Sequence, residues 1–152
     1  MSFSVFISYS IEDEPLLKEL ETHLAILRRQ GVITTWNEQD ISAGAERQRE
    51  IDFHLNTNQI ILLLVSANFL ASKYCYGVAM QRAVERHNAG EARVIPIILR
   101  PAHWEVTPFG KLHALPTGAT PITSWPNRDE AFLDVARGIQ KVVDRLIKSA
   151  PT

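Results

Sequence analysis

Apolar residues recur along this chain with two different periods, and the switches between them divide it into alternating strands and helices. Phe3 to Tyr9 alternates and is rich in β-formers, which predicts a first strand. The acidic cluster Glu12-Asp13-Glu14-Pro15 comes next, with Asp13 expected as a helix N-cap and Pro15 tolerated in the first turn. Leu17, Leu20, Leu24 and Leu27 then recur at three- and four-residue spacing, an apolar stripe on a helix that ends near Gly31. Val32 to Trp36 reads as a short second strand. A polar loop, Asn37 to Gly44, leads to a second helix carrying Ile51 and Leu55.

Ile60 to Val65 is a continuous apolar run, the pattern of a strand buried on both faces of a parallel sheet. Its loop, Ser66-Ala67-Asn68, is expected at the carboxyl edge of that sheet, where open α/β folds place their ligands. A helix over about Lys73 to Asn88 follows, with Gly90 as a stop signal. Val94 to Leu99 predicts a fourth strand, placed near a sheet edge because Pro96 removes a ladder donor. Residues 100–119 read as an irregular loop that folds back on the body, since Trp104, Phe109 and Leu115 carry too much apolar area to leave in water. A short fifth strand is expected near Pro121 to Thr123. Asn127 with Glu130 three residues on resembles a capping box, and Phe132, Val135, Ile139, Val142, Val143 and Leu146 keep helical period to Ile147. The alternation implies an α/β fold: a parallel sheet of about five strands, right-handed crossovers and helices on both faces.

Length and composition narrow the function. The 152 residues, 45% of them apolar, suit one domain with a proper core, expected over 1–148, with 149–152 beginning a linker or tail. A net charge of −1 with interspersed signs offers no footprint for nucleic acid or an anionic membrane. The single cysteine, Cys75, excludes an internal disulfide, offers no metal cluster and is best read as buried packing in a reducing compartment. "MSFSVFISYS" has neither a basic leader nor a long apolar segment, so a cytoplasmic location is expected, without a signal peptide or membrane span. A phospho-accepting receiver domain would need an acidic pair after the first strand, an aspartate after the third and a lysine after the fourth or fifth. Here those strands end in Ser8-Tyr9-Ser10, Ser66-Ala67-Asn68 and Arg100-Pro101. Neither a GxGxxG or P-loop lysine nor a nucleophile elbow is present.

Four ordered segments carry a family resemblance. They are "FISYS" followed by Asp13-Glu14, "WNEQDISAGAERQREI", "SANFLASKYCY" and "RVIPIILRPAHW". Together they resemble the Toll/interleukin-1 receptor (TIR) domain family over nearly the whole chain, closer to bacterial effectors than to animal receptor tails. The resemblance implies a flavodoxin-like three-layer sandwich. It also implies chemistry, because some TIR domains are immune or antiphage effectors that cleave the nicotinamide–ribose bond of NAD+. Nicotinamide and ADP-ribose or a cyclised form are released, with NAD+ as substrate and no cofactor or metal. Nicotinamide is already a good leaving group, so the enzyme chiefly orients the ribose and stabilises an oxocarbenium-like transition state, for which a carboxylate beside the ribose is suited.

The position that aligns with that family glutamate is Ala79. A methyl group supplies neither orientation nor charge, while alanine near a helix start folds without strain. The chain therefore resembles an intact scaffold whose catalytic group is missing. The plain alternative is that an alanine at a helix start is ordinary. Glu85 lies almost two turns further along, and Glu38, Asp40 and Glu46 sit on the loop after the second strand. Gly77, just before the key position, is expected to weaken its helix by about 1 kcal/mol relative to alanine.

Other pocket residues carry over from the resemblance. Ser8, Tyr9 and Ser10 are expected to offer hydroxyls for ribose or phosphate, and Trp36, Tyr74 or Tyr76 a stacking surface, with core packing the competing role for the aromatic rings. Arg100 and Trp104 are expected at the rim or an assembly contact. The family also implies self-association through TIR–TIR contacts, weak in the isolated domain, and a sensor domain in cis after the C-terminus that drives clustering. A non-catalytic TIR–TIR signalling scaffold is the alternative function.

Overall fold

The computed structural model describes residues 2–72 and 77–149. Four strands, β1 (Phe3–Ser8), β2 (Ile33–Asn37), β3 (Ile60–Val65) and β4 (Arg93–Ile98), form one sheet in the order β2-β1-β3-β4. Every pairing is parallel, with Phe3 opposite Ile33, Val5 opposite Ile60 and Ile60 opposite Arg93. Among the described residues, five α-helices connect and flank them: α1 (Glu14–Arg29), α2 (Arg47–Thr57), α3 (Ala67–Ala71), α4 (Val78–Asn88) and α5 (Arg128–Ser149). The chain places β2 on one side of β1 and then crosses to β3 on the other. The strand order therefore reverses between β1 and β3, and their carboxyl ends are the topological switch point.

The period-2 geometry of strands sorts their side chains into two cores. Ile60, Leu62 and Leu64 join Phe3, Val5, Ile7, Ile95 and Ile97 on one face, under the leucines of α1 and Phe132, Val135, Ile139 and Val143 of α5. Ile61, Leu63 and Val65 face the other way with Phe6, Val94 and Ile98, under α2, α3 and α4. The expected run of the third strand is observed with its bounds unchanged, and each of its six residues is buried.

Helix ends follow the sequence signals closely. At the end of α1, Gly31 has φ 74°, Val32 N–H donates to the Leu27 carbonyl at 3.1 Å and Gly31 N–H to the Arg28 carbonyl at 3.0 Å. Gly90 closes α4 in the same way, with Glu91 N–H to the Arg86 carbonyl at 2.8 Å. These paired hydrogen bonds satisfy carbonyls that would otherwise be orphaned, and they need a left-handed conformation that glycine adopts without strain. Asn127 Oδ1 accepts from Glu130 N–H at 3.1 Å, as the capping pattern predicts.

Four expectations are corrected. The fifth strand is absent among the described residues: Ile122–Ser124 is a short 3-10 turn. In its place Leu115 makes a single parallel bridge to Ile97, where Pro96 carbonyl accepts from Leu115 N–H at 2.9 Å and Ile98 N–H donates to the Leu115 carbonyl at 2.8 Å. Pro96 lies on the edge strand as expected, but it removes no bond to β3. Val94 and Ile98 point their N–H groups away from β3, and by alternation the missing N–H of Pro96 faces outward too. The helix expected over about 73–88 is observed as α4, which begins at Val78 after its N-cap Gly77 at φ −77° and ψ 174°, while residues 73–76 lie outside the described ones; α3, a separate short helix, occupies part of the segment expected as a loop. Gly77 is thus outside the helix interior, at a position that tolerates glycine well. Finally, α5 runs to Ser149, two residues past Ile147, where the helical period was expected to end.

The loop over 100–119 does fold back. Trp104 and Phe109 are buried in the second core, and Phe109 meets Phe69 edge-on with ring centroids 6.4 Å apart. Among the described residues no helix is long and apolar enough to cross a membrane.

Candidate functional site at the carboxyl edge

Parallel strands point their carboxyl ends the same way, so the polar residues that follow β1, β3 and β4 meet at one edge. Ser8 ends β1 fully buried, and its hydroxyl has no hydrogen-bond partner among the described residues. Tyr9 is also buried. Its hydroxyl accepts from Gln39 Nε2 at 3.0 Å, and burial raises the phenol above its ordinary range. Ser10 donates to Glu12, whose carboxyl is lowered by that hydroxyl. Of the three expected hydroxyls, Ser8 alone is uncommitted among the described residues.

The centre of this edge is a group that the pattern alone did not reveal. Asp13 occupies the N-cap position of α1 but makes no capping bond. Its carboxylate is buried instead, with one oxygen accepting from Ser66 Oγ and the other from Arg100 Nε at 3.1 Å. Ser66 Oγ in turn accepts from Phe69 N–H at 3.1 Å and caps α3. One carboxylate therefore ties together the segments after β1, β3 and β4. Burying such a charge is expensive unless it is paired and hydrogen-bonded, and here both oxygens are engaged. The residue types were visible as polar groups directly after apolar strands. Their pairing was not, because Asp13 and Arg100 are 87 positions apart.

Trp36 lies away from this group. It is 43% exposed on β2, and its ring stacks on His54 at 5.3 Å, while His54 also stacks on Phe6 at 5.3 Å and 2°. Desolvation lowers His54, so the ring is held toward its neutral form. Ala79 is the second residue of α4, in the turn immediately after the N-cap. Backbone N–H groups of a first turn lack helical partners and favour a negative charge, so a carboxylate at this position would sit in a receptive field. Tyr74, Cys75 and Tyr76 fall outside the described residues.

A concavity of about 980 Å³ lies at the outer edge of β4 against α5 and is lined by Arg93, Leu115, Arg137, Lys141 and Arg145 among others. It contains none of the residues predicted for the site. Among the described residues there is no group of three or more His, Cys, Asp or Glu side chains suited to a metal ion.

A TIR domain family model matches residues 5–132. The chain belongs to the TIR domain family. The uncharacterized protein y4lF of Sinorhizobium fredii (strain NBRC 101917 / NGR234) is 56% identical over 147 residues, which are 97% of this chain and 46% of that protein. The chain thus spans less than half the length of that relative. Among solved structures, the TIR domain of the Toll-related receptor TRR-2 from Hydra magnipapillata aligns with a TM-score of 0.63 at 17% identity, covering 94% of this chain and 99% of that one. The TIR domains of the activated Roq1 resistosome, which recognises the pathogen effector XopQ, align with a TM-score of 0.51 at 21% identity over 63% of this chain and 57% of that one. At these identities the two structures establish the fold, and among the described residues the sheet has one strand fewer than expected.

Proposed function

We propose that this TIR domain is built on the scaffold of an NAD+ glycohydrolase and is catalytically silent because Ala79 stands where the cleaving carboxylate would be. The observation that carries this reading is the position of Ala79 in the first turn of α4, two residues after the Gly77 cap. A glutamate there would sit in the helix N-terminal field, near the β1–β3 switch point where the fold places ligands. In this reading the ribose lies against that turn, and its ring is oriented for loss of nicotinamide. With a methyl group in place of the carboxylate, the developing oxocarbenium charge has no partner.

The test is Ala79→Glu, with the domain clustered by fusion to an oligomeric carrier and nicotinamide release followed by chromatography. Turnover well above that of the equally clustered parent is expected; release at the parent's background rate would sink the proposal. A second reading is favoured by the same alanine: a TIR module that signals only by associating with other TIR domains. It predicts concentration-dependent self-association and no gain of turnover in Ala79→Glu. Clustering in either case would come from a sensor domain joined in cis, and y4lF has chain beyond the matched part that would accommodate one. A cytoplasmic location fits NAD+ as the substrate.

A further inference from the structure

We propose that Arg100 is an anion anchor at the carboxyl edge of the sheet, where it recognises the diphosphate of a dinucleotide. The proposal deepens the NAD+ reading and names the group that would hold the ligand's phosphates. It begins from the way Arg100 is held. A guanidinium carries five N–H donors in a rigid fork. One of them, on Nε, is used on Asp13 at 3.1 Å, and neither Nη nitrogen makes a hydrogen bond among the described residues. The two members of the pair differ sharply in environment: the Asp13 side chain is 1% exposed and that of Arg100 is 48% exposed.

If neutralising Asp13 were the only task, the two groups would be expected to meet as a bidentate fork, the stronger geometry for arginine and carboxylate. A single bond through Nε instead fixes the plane of the guanidinium and leaves its Nη edge available. Asp13 is itself immobilised by Ser66, whose hydroxyl caps α3, so the fork is held by the three segments that follow β1, β3 and β4. Little side-chain entropy is then left to lose on binding, which favours a pre-organised group over a mobile lysine.

Acidic neighbours set the selectivity. Glu12 is engaged by Ser10 and Glu14 by Lys18 at 3.5 Å, and Asp13 already offsets the charge of Arg100. Diffuse attraction of anions is therefore small, and recognition depends on close two-point contact of the kind a diphosphate provides.

The experiment uses NMR titration of the whole chain, following the arginine Nε–H signals and backbone amides. The probes are inorganic pyrophosphate, ADP-ribose and nicotinamide riboside, the last lacking phosphate. Arg100→Gln is expected to weaken pyrophosphate and ADP-ribose about tenfold to a hundredfold and to leave nicotinamide riboside unchanged. Arg100→Lys should recover part of the loss. Because Arg100→Gln leaves Asp13 buried without its cation, the paired substitution Asp13→Asn with Arg100→Gln provides a variant without that unpaired charge, expected to show the same loss. Pyrophosphate binding unaffected by Arg100→Gln, or absent from the parent chain at millimolar concentration, would overturn the anchor. ADP-ribose binding that is independent of Arg100 would also overturn it while leaving the NAD+ reading intact. Arg100-dependent pyrophosphate binding without any ADP-ribose binding would uphold the anchor and remove the NAD+ reading.

Discussion

The two faces of the sheet are built from different materials. One is covered by two long helices, α1 with 16 residues and α5 with 22, whose leucine, valine and phenylalanine stripes bury against β1, β3 and β4. The other is covered by α2 and α4, 11 residues each, the five-residue α3, and side chains returned by the loop over 100–119. Long amphipathic helices gain most of their stability from packing one continuous stripe. Short helices and a folded-back loop bury less per element and rely on caps and polar ties. The second face also carries the start of α4, the position of Ala79. The comparison teaches that stability resides mainly on one face, while the residues proposed for chemistry lie on the other and at its carboxyl edge.

The largest test of this contrast is truncation in each core. Phe132→Ala, at a fully buried site under α5, is expected to cost about 3–5 kcal/mol in urea unfolding. Ile51→Ala on α2 should fall near the low end of the aliphatic range, about 2 kcal/mol. Equal losses would break the contrast. Next is the tie between the faces: Ser66→Ala removes both the cap on Phe69 N–H and a donor to buried Asp13, and about 1–2 kcal/mol should be lost. Unchanged stability would mean that the tie contributes nothing.

Acidity should act on one face before the other. Burial lowers both His54 and His87, and Arg93 lowers His87 further. His87 Nδ1 accepts from Val94 N–H at 3.0 Å, a bond that only the unprotonated nitrogen can make. The unfolded chain therefore binds more protons below about pH 6.5, so stability that is complete above that pH falls as acidification proceeds toward the lower folded values. Hydrogen exchange between pH 7.5 and 5 should show α2 and α4 losing protection first; earlier loss in α1 and α5 would reverse the assignment. The smallest effect is expected at the surface. Arg128 Nη2 lies 2.8 Å from Glu19, joining α5 to α1, yet both side chains reach water. Glu19→Gln should cost about 0.2–1 kcal/mol and less at high salt, and a larger loss would show that the pair is coupled to the core beneath it.

Legibility in the sequence divides along the same line. The leucines of α1, the period of α5 and the unbroken run of β3 each report burial through local spacing, and all three elements were readable with nearly the right bounds. The starts of α3 and α4 were less readable, since Ser66 and Gly77 are small residues whose capping roles depend on where the backbone turns. The fifth strand was misread because Pro121 to Thr123 has a plausible composition, whereas the bridge is made by Leu115, whose partner is set by the return of the loop. Asp13 was given the local role its position suggests, N-capping, and a distant arginine claimed it instead.

What the sequence determined by itself was the alternation of strands and helices, the parallel sheet, and the absence of a carboxylate at position 79, for these depend on residue type and on periods of two and 3.6. Only the tertiary structure decided that Asp13, Ser66 and Arg100 form one buried group, that Trp36 rests on His54, and that Pro96 gives up no sheet bond. Those outcomes depend on which strand ends become neighbours. Strand order is a property of the whole packed sheet, and no local pattern encodes it.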